Sequence, residues 1–134
     1  MGKVTVYLDK LTNLKDADGF GKSDPYVKFH LEKDNWGPMD VNYGERKSTM
    51  KANTLNPEYG ETFVFNGVPS LDKLVLHIRI MDEDIGRDDK LGKCTVKLFE
   101  LGNLSNFVNV EETIDRKLFG GEKAKIYLKI KYDE

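Results

Sequence analysis

The chain has one cysteine, two histidines and no long apolar run in its 134 residues. Cys94 alone cannot form an internal disulfide, and a reducing compartment is expected. One cysteine and the two scattered histidines, His30 and His77, cannot assemble a zinc cluster. No apolar stretch approaches the roughly 18 residues of a spanning helix. Positive charge is not in excess either. With 21 Lys and Arg against 23 Asp and Glu, the formal charge is −2. No global basic balance exists to neutralise phosphates, so no nucleic-acid partner is expected. The opening "MGKVTVYL" alternates at once, lacks a signal-peptide layout, and puts Val6 where a myristoylation pattern wants Ser or Thr. These features point to a cytoplasmic protein whose membrane contact, if any, is reversible.

What the chain does contain is period-two alternation. "VTVYL" (4–8), "YVKFHLE" (26–32), "TFVF" (62–65), "LVLHIRI" (74–80), "KCTVKLF" (93–99) and "AKIYLKIKY" (124–132) are short, rich in β-branched or aromatic residues, and bounded by turn residues. "ERKSTMK" (45–51) and "TIDRKL" (113–118) are weaker candidates. The pattern predicts an all-β antiparallel sandwich of about eight strands, up-and-down or Greek-key, with 1–134 as a single domain. One short helix is expected near "VKLFELGNL" (96–104). Pro25, Pro38, Pro57 and Pro69 fall at loops or strand starts, as an all-β chain requires.

Aspartates crowd into two stretches, 16–24 and 82–89. In a sandwich, alternate connections emerge at the same end, so these two loops should share a rim with 52–60. The Gly21-Lys22-Ser23 run looks like the end of a phosphate-binding loop. However, Asp16 stands where the first glycine belongs, and Asp24-Pro25 and a strand follow instead of a helix. An EF-hand starting at Asp82 fails because Arg87 replaces the turn glycine and Lys93 the bidentate glutamate. A calcium site shared by the two loops fits better. Asp18, Asp24, Asp82, Asp84 and Asp89 would offer oxygen ligands of the kind calcium takes. Without metal they would repel by about 1 kcal/mol per pair at about 4 Å, even in water. A single aspartate in a turn is usually a local cap; clustering in two converging loops is what favours metal here.

"DADGFGKSDPYVKF" (16–29), "TLNPEYGETFVF" (54–65) and "LHIRIMDEDIGRDDKLGK" (76–93) together resemble the C2 domain, a calcium-dependent phospholipid-binding module found in protein kinase C and the synaptotagmins. The resemblance covers nearly the whole chain. It implies Ca2+ as cofactor, one to three ions with two the expectation. Asp18 and Asp24 match the first-loop ligands, and Asp82 and Asp84 match the Asp-x-Asp of the third loop. Asp88 and Asp89 compete for the fifth position, with Asp89 favoured because it precedes "KLG". Backbone carbonyls of Ala17 and Glu83 are further candidates. The chain starts at what many members have as a second strand and ends with an extra one, "AKIYLKIKY", which resembles the circularly permuted eight-stranded Greek-key type II topology.

The same resemblance implies an anionic phospholipid membrane as partner, with no catalytic activity. Phe20 and Ile85, beside ligands at the loop tips, would insert at the headgroup boundary, and Lys22 and Arg87 would meet anionic headgroups. Lys28 and Lys47 match a basic groove of the family, which Thr49 and His30 leave incomplete. His30, His77 and Cys94 read as ordinary strand residues. A competing reading is a protein-interaction module using the 32–45 loop, through Trp36, Met39 and Tyr43, with calcium structural or absent.

Overall fold

A computed structural model describes residues 2–14, 23–115 and 123–134. Its strands are β1 (Gly2–Thr12), β2 (Pro25–Lys33), β3 (Val41–Lys47), β4 (Glu58–Val68), β5 (Leu74–Asp82), β6 (Asp89–Lys97), β7 (Val108–Thr113) and β8 (Lys125–Asp133). They form two four-stranded sheets, ordered β4-β1-β8-β7 and β3-β2-β5-β6, with every strand pair antiparallel. The alternation read from the sequence is the reason. Val4, Val6 and Leu8 of β1 and Ile126, Leu128 and Ile130 of β8 face inward from one sheet. Val27, Phe29 and Leu31 of β2 and Leu76, Ile78 and Ile80 of β5 face them from the other. Each such side chain contributes about 1.5–3 kcal/mol on full burial.

Three segments depart from the expected pattern. Pairing of β3 begins at Val41 and stops at Lys47, because the Ser48 hydroxyl, not a ladder carbonyl, accepts the Val27 amide at 2.8 Å. Thr49, two residues on, gives its amide to Glu61 at 3.0 Å. The seventh strand is Val108–Thr113, ahead of the expected 113–118, whose residues 116–118 lie outside the described ones. The expected helix at 96–104 is a single 3₁₀ turn, Leu98–Glu100. Strand β6 runs through Lys97, and Gly102 at φ 78° turns the chain away.

Strand β3 is an edge with no buried residue. Arg46 fastens it to the other sheet. Its guanidinium lies 4.8 Å from the Phe65 ring centre and its Nε donates to the Val64 carbonyl at 3.1 Å. At one end of the sandwich the connections after β1, β3 and β5 meet. Leu14 donates to the Leu55 carbonyl at 2.9 Å, and Thr54 to the Ser23 carbonyl at 2.9 Å. The connection 34–40 lies at the opposite end, where Asp34 donates to the Lys73 carbonyl at 2.9 Å.

Candidate functional site

Register positions the acidic rim. Pro25, Asp82 and Asp89 lie side by side at the ends of β2, β5 and β6. Asp24, just before β2, is half-buried and held from three directions. Its amide donates to the Asp82 carboxylate at 2.9 Å, its carbonyl accepts from Glu83 at 3.0 Å, and its carboxylate accepts from the Asn53 amide at 2.6 Å. Below this rim Tyr59 donates its hydroxyl to the Pro25 carbonyl at 2.7 Å, and burial pushes its phenol well above the usual range. The proline and tyrosine of the sequence motif are therefore braces for the loop that carries Asp24.

The β5–β6 connection is arranged around its own aspartates. The Asp84 carboxylate accepts the Ile85 amide at 2.7 Å, and Asp88 accepts the Asp84 amide at 3.1 Å. Gly86 at φ 90° completes the turn and leaves Ile85 fully exposed. Asp88 turns inward and accepts a bond from the Tyr26 hydroxyl. That bond, with the Asp84 amide, holds the Asp88 carboxyl below its ordinary range, and the Lys47 and Lys28 charges add to the effect. Burial and the same bond push the Tyr26 phenol up to about 12. Asp89 is exposed at the start of β6.

Asp24, Asp82, Asp84, Asp88 and Asp89 thus come to one end of the sandwich, with Glu83, Ile85 and Arg87 exposed between them. Asp18, Ala17, Phe20 and Lys22 lie outside the described residues. The donors present are all oxygen and mostly anionic, which suits a hard divalent cation and no thiophilic one. Their placement is a separate matter. Among the described residues no three His, Cys, Asp or Glu side chains are grouped so as to hold an ion. Asp24, Asp84 and Asp88 are turned toward amides and a phenol.

Beside the rim, the outer face of β3-β2-β5-β6 carries Lys28 and Lys47, expected from the sequence, and two further basic residues that sequence reasoning missed. Lys47, Lys28, Arg79 and Lys93 pair in register and make one row across all four strands. Lys47 sits 5.1 Å from the Tyr26 ring centre. Arg79 and Lys93 look like solvated strand residues in the sequence, and only the register aligns them with Lys28. At the far end Trp36 and Met39 are 86 % and 68 % exposed, whereas Tyr43 packs on the core.

The fold is thus a two-sheet antiparallel sandwich with an acidic loop rim and a basic strand face. The family model described as "C2 domain" matches residues 2–113, and the chain belongs to that family. It is 41% identical to rat synaptotagmin-9 over 97 residues, and 41% identical to human synaptotagmin-1 over 98, in each case 71% of this chain. Those matches span only 19% and 22% of the relatives' own lengths. Among solved structures, a C2 domain of plant extended synaptotagmin 1 superposes with a TM-score of 0.78 at 26% identity, covering 98% of this chain and 93% of that one. A calcium-bound structure of two C2 domains of extended synaptotagmin 2 superposes at 0.71 with 22% identity, covering 98% and 45%, and shares the fold.

Proposed function

We propose that the protein binds anionic phospholipid membranes peripherally and in a calcium-dependent manner. The observation that carries this reading is the convergence of Asp24, Asp82, Asp84, Asp88 and Asp89 on one rim, with Ile85 fully exposed among them. Asp24, Asp82, Asp84 and Asp89 would hold the cation with Asp18, and Asp88 or the Ala17 and Glu83 carbonyls would add to them. Two ions suit that number of ligands best. Calcium held by these residues would supply the positive charge that an anionic lipid headgroup needs at an otherwise acidic rim. The calcium-bound extended synaptotagmin 2 structure supports the same direction through fold alone.

The chain's own residues do the rest. Ile85, with Phe20 beside the first loop's aspartates, enters the headgroup boundary, while Arg87, Lys22, Lys28 and Lys47 attract anionic headgroups at about 1 kcal/mol each. The role is that of a binding module without catalysis. The placement of β8 beside β1 supports the type II order, with residues 1–134 as one domain.

Cosedimentation with phosphatidylserine vesicles tests the proposal. The protein should pellet in calcium, stay in solution in chelator, and lose the calcium response in the Asp24→Asn/Asp84→Asn variant. Equal pelleting with and without calcium sinks it. A second reading, a protein partner at the 32–45 loop, is favoured by the exposure of Trp36 and Met39. Trp36→Ala should then lose a partner while vesicle binding is unchanged.

A further inference from the structure

Next to the cationic row lies a second row, in which Glu45, His30, His77 and Thr95 are paired across the same four strands. The two imidazoles stack, with ring centres 5.9 Å apart and planes 26° apart. His77 Nε2 donates to Glu32 at 2.7 Å, and His30 Nε2 to the Asn42 side-chain oxygen at 2.9 Å. The second row, with Lys28, Arg79 and Lys93 of the first, lines one groove of about 930 Å³. Its wall is closed by Glu112 and Thr113 of β7 and by Asp115, whose backbone pairs with Lys93.

The charge of this lining is close to balance. With neutral imidazoles, Lys28, Arg79 and Lys93 are outnumbered by Glu32, Glu45, Glu112 and Asp115, so an incoming anion meets a weakly repelling groove. Imidazole is the side chain that ordinarily changes charge between about pH 5 and 8. Two added charges reverse the sign of the lining. Stacked imidazolium ions repel each other, and an anion held against both removes that repulsion, so protonation and anion binding support each other. Glu112 moves the same way, because burial raises its carboxyl and brings its neutralisation to higher pH.

We propose that the His30–His77 pair gates this groove by protonation, so that it takes sulfate- or phosphate-bearing headgroups in mild acid and releases them near neutrality. This goes beyond calcium bridging, and rests on the membrane reading only in making a lipid headgroup, not a free ester, the physiological source.

The test is run in chelator, so that the acidic rim takes no part. Calorimetry with inositol hexasulfate, whose sulfate esters keep their charge, should show affinity rising at least about fivefold from about pH 7.5 to about pH 5.5. His30→Gln/His77→Gln should keep the weak neutral binding and lose the rise. His30→Lys should bind more tightly than the wild type at the higher pH, a gain that no folding defect imitates. Arg79→Ala should weaken binding in acid. Affinity independent of pH in the wild type, or an undiminished rise in the double variant, overturns the gate. Phosphatidylserine vesicles form the second arm. Acid-dependent sedimentation in chelator supports the lipid source, and its absence beside acid-dependent hexasulfate binding overturns that part. Calcium-dependent sedimentation is read separately, so failure of the groove and failure of the rim are told apart.

Discussion

The backbone amide of Asp24 is bonded to the carboxylate of Asp82, 58 positions along the chain, at 2.9 Å. One candidate ligand therefore holds the loop that bears another. The aspartates of the rim are structural acceptors as well as charges, and substitutions that keep or remove the acceptor should separate the two roles. Asp82→Asn keeps an oxygen for the amide while removing a charge, so in chelator it should be neutral or slightly stabilising. Asp82→Ala should cost about 1 kcal/mol in the same buffer. Calcium should raise the melting temperature of the wild type, by the equivalent of about 2.7 kcal/mol at roughly a hundred times the dissociation constant. Both variants should lose most of that increment. Denaturation followed in chelator and in calcium checks the set.

Ile85 is fully exposed and touches no core residue, so Ile85→Ala should leave the melting temperature unchanged. On anionic vesicles with calcium it should lose about tenfold in affinity, the equivalent of about 1.5 kcal/mol of apolar burial. The residual binding should be more sensitive to salt than that of the wild type, since apolar burial is not screened. Wild-type affinity in the variant would make Ile85 a bystander.

Tyr59 supports the rim from below. The Pro25 carbonyl accepts from both the Tyr59 hydroxyl and the Lys51 amide, so Tyr59→Phe leaves it one partner. The expected cost is about 1 kcal/mol in urea unfolding, the net value of one hydrogen bond. Calcium affinity should fall with it, because the braced segment carries Asp24.

Glu112 gives a pH dependence of defined sign. Burial raises its carboxyl in the folded chain, which therefore keeps the proton to higher pH than the unfolded chain does. Stability from this group falls as pH rises from the unfolded value through the folded one, and the penalty persists above that window. Glu112→Gln should melt up to about a few degrees higher near neutrality. Below the usual carboxylate range the two proteins should melt together.

Strands such as 74–80 and 26–32 were legible because burial on one face imposes a period of two, visible without knowing any partner. The displaced elements are those whose limits depend on a partner. Nothing in "ERKSTMK" announces that the Ser48 hydroxyl will replace a ladder bond, and β3, an edge without buried residues, leaves no apolar trace. The rim aspartates were legible through clustering alone. Arg79 and Lys93 were not, since a basic residue on a strand is commonplace until pairing sets it beside Lys28 and Lys47. The inward turn of Asp88 toward Tyr26 was hidden for the same reason, because 62 positions separate the two.

Strand β2 starts beside the acidic rim and ends at the loop bearing Trp36, and its nine residues span about 30 Å. A bilayer seated on the rim would leave that indole about a bilayer core's thickness out in the water. The sandwich would then act as a strut of fixed length: one pole would hold the surface while the other presented a single large ring to whatever approached from solution. Lengthening the 34–40 connection would extend the reach of that ring, and nothing at the lipid end would register the change.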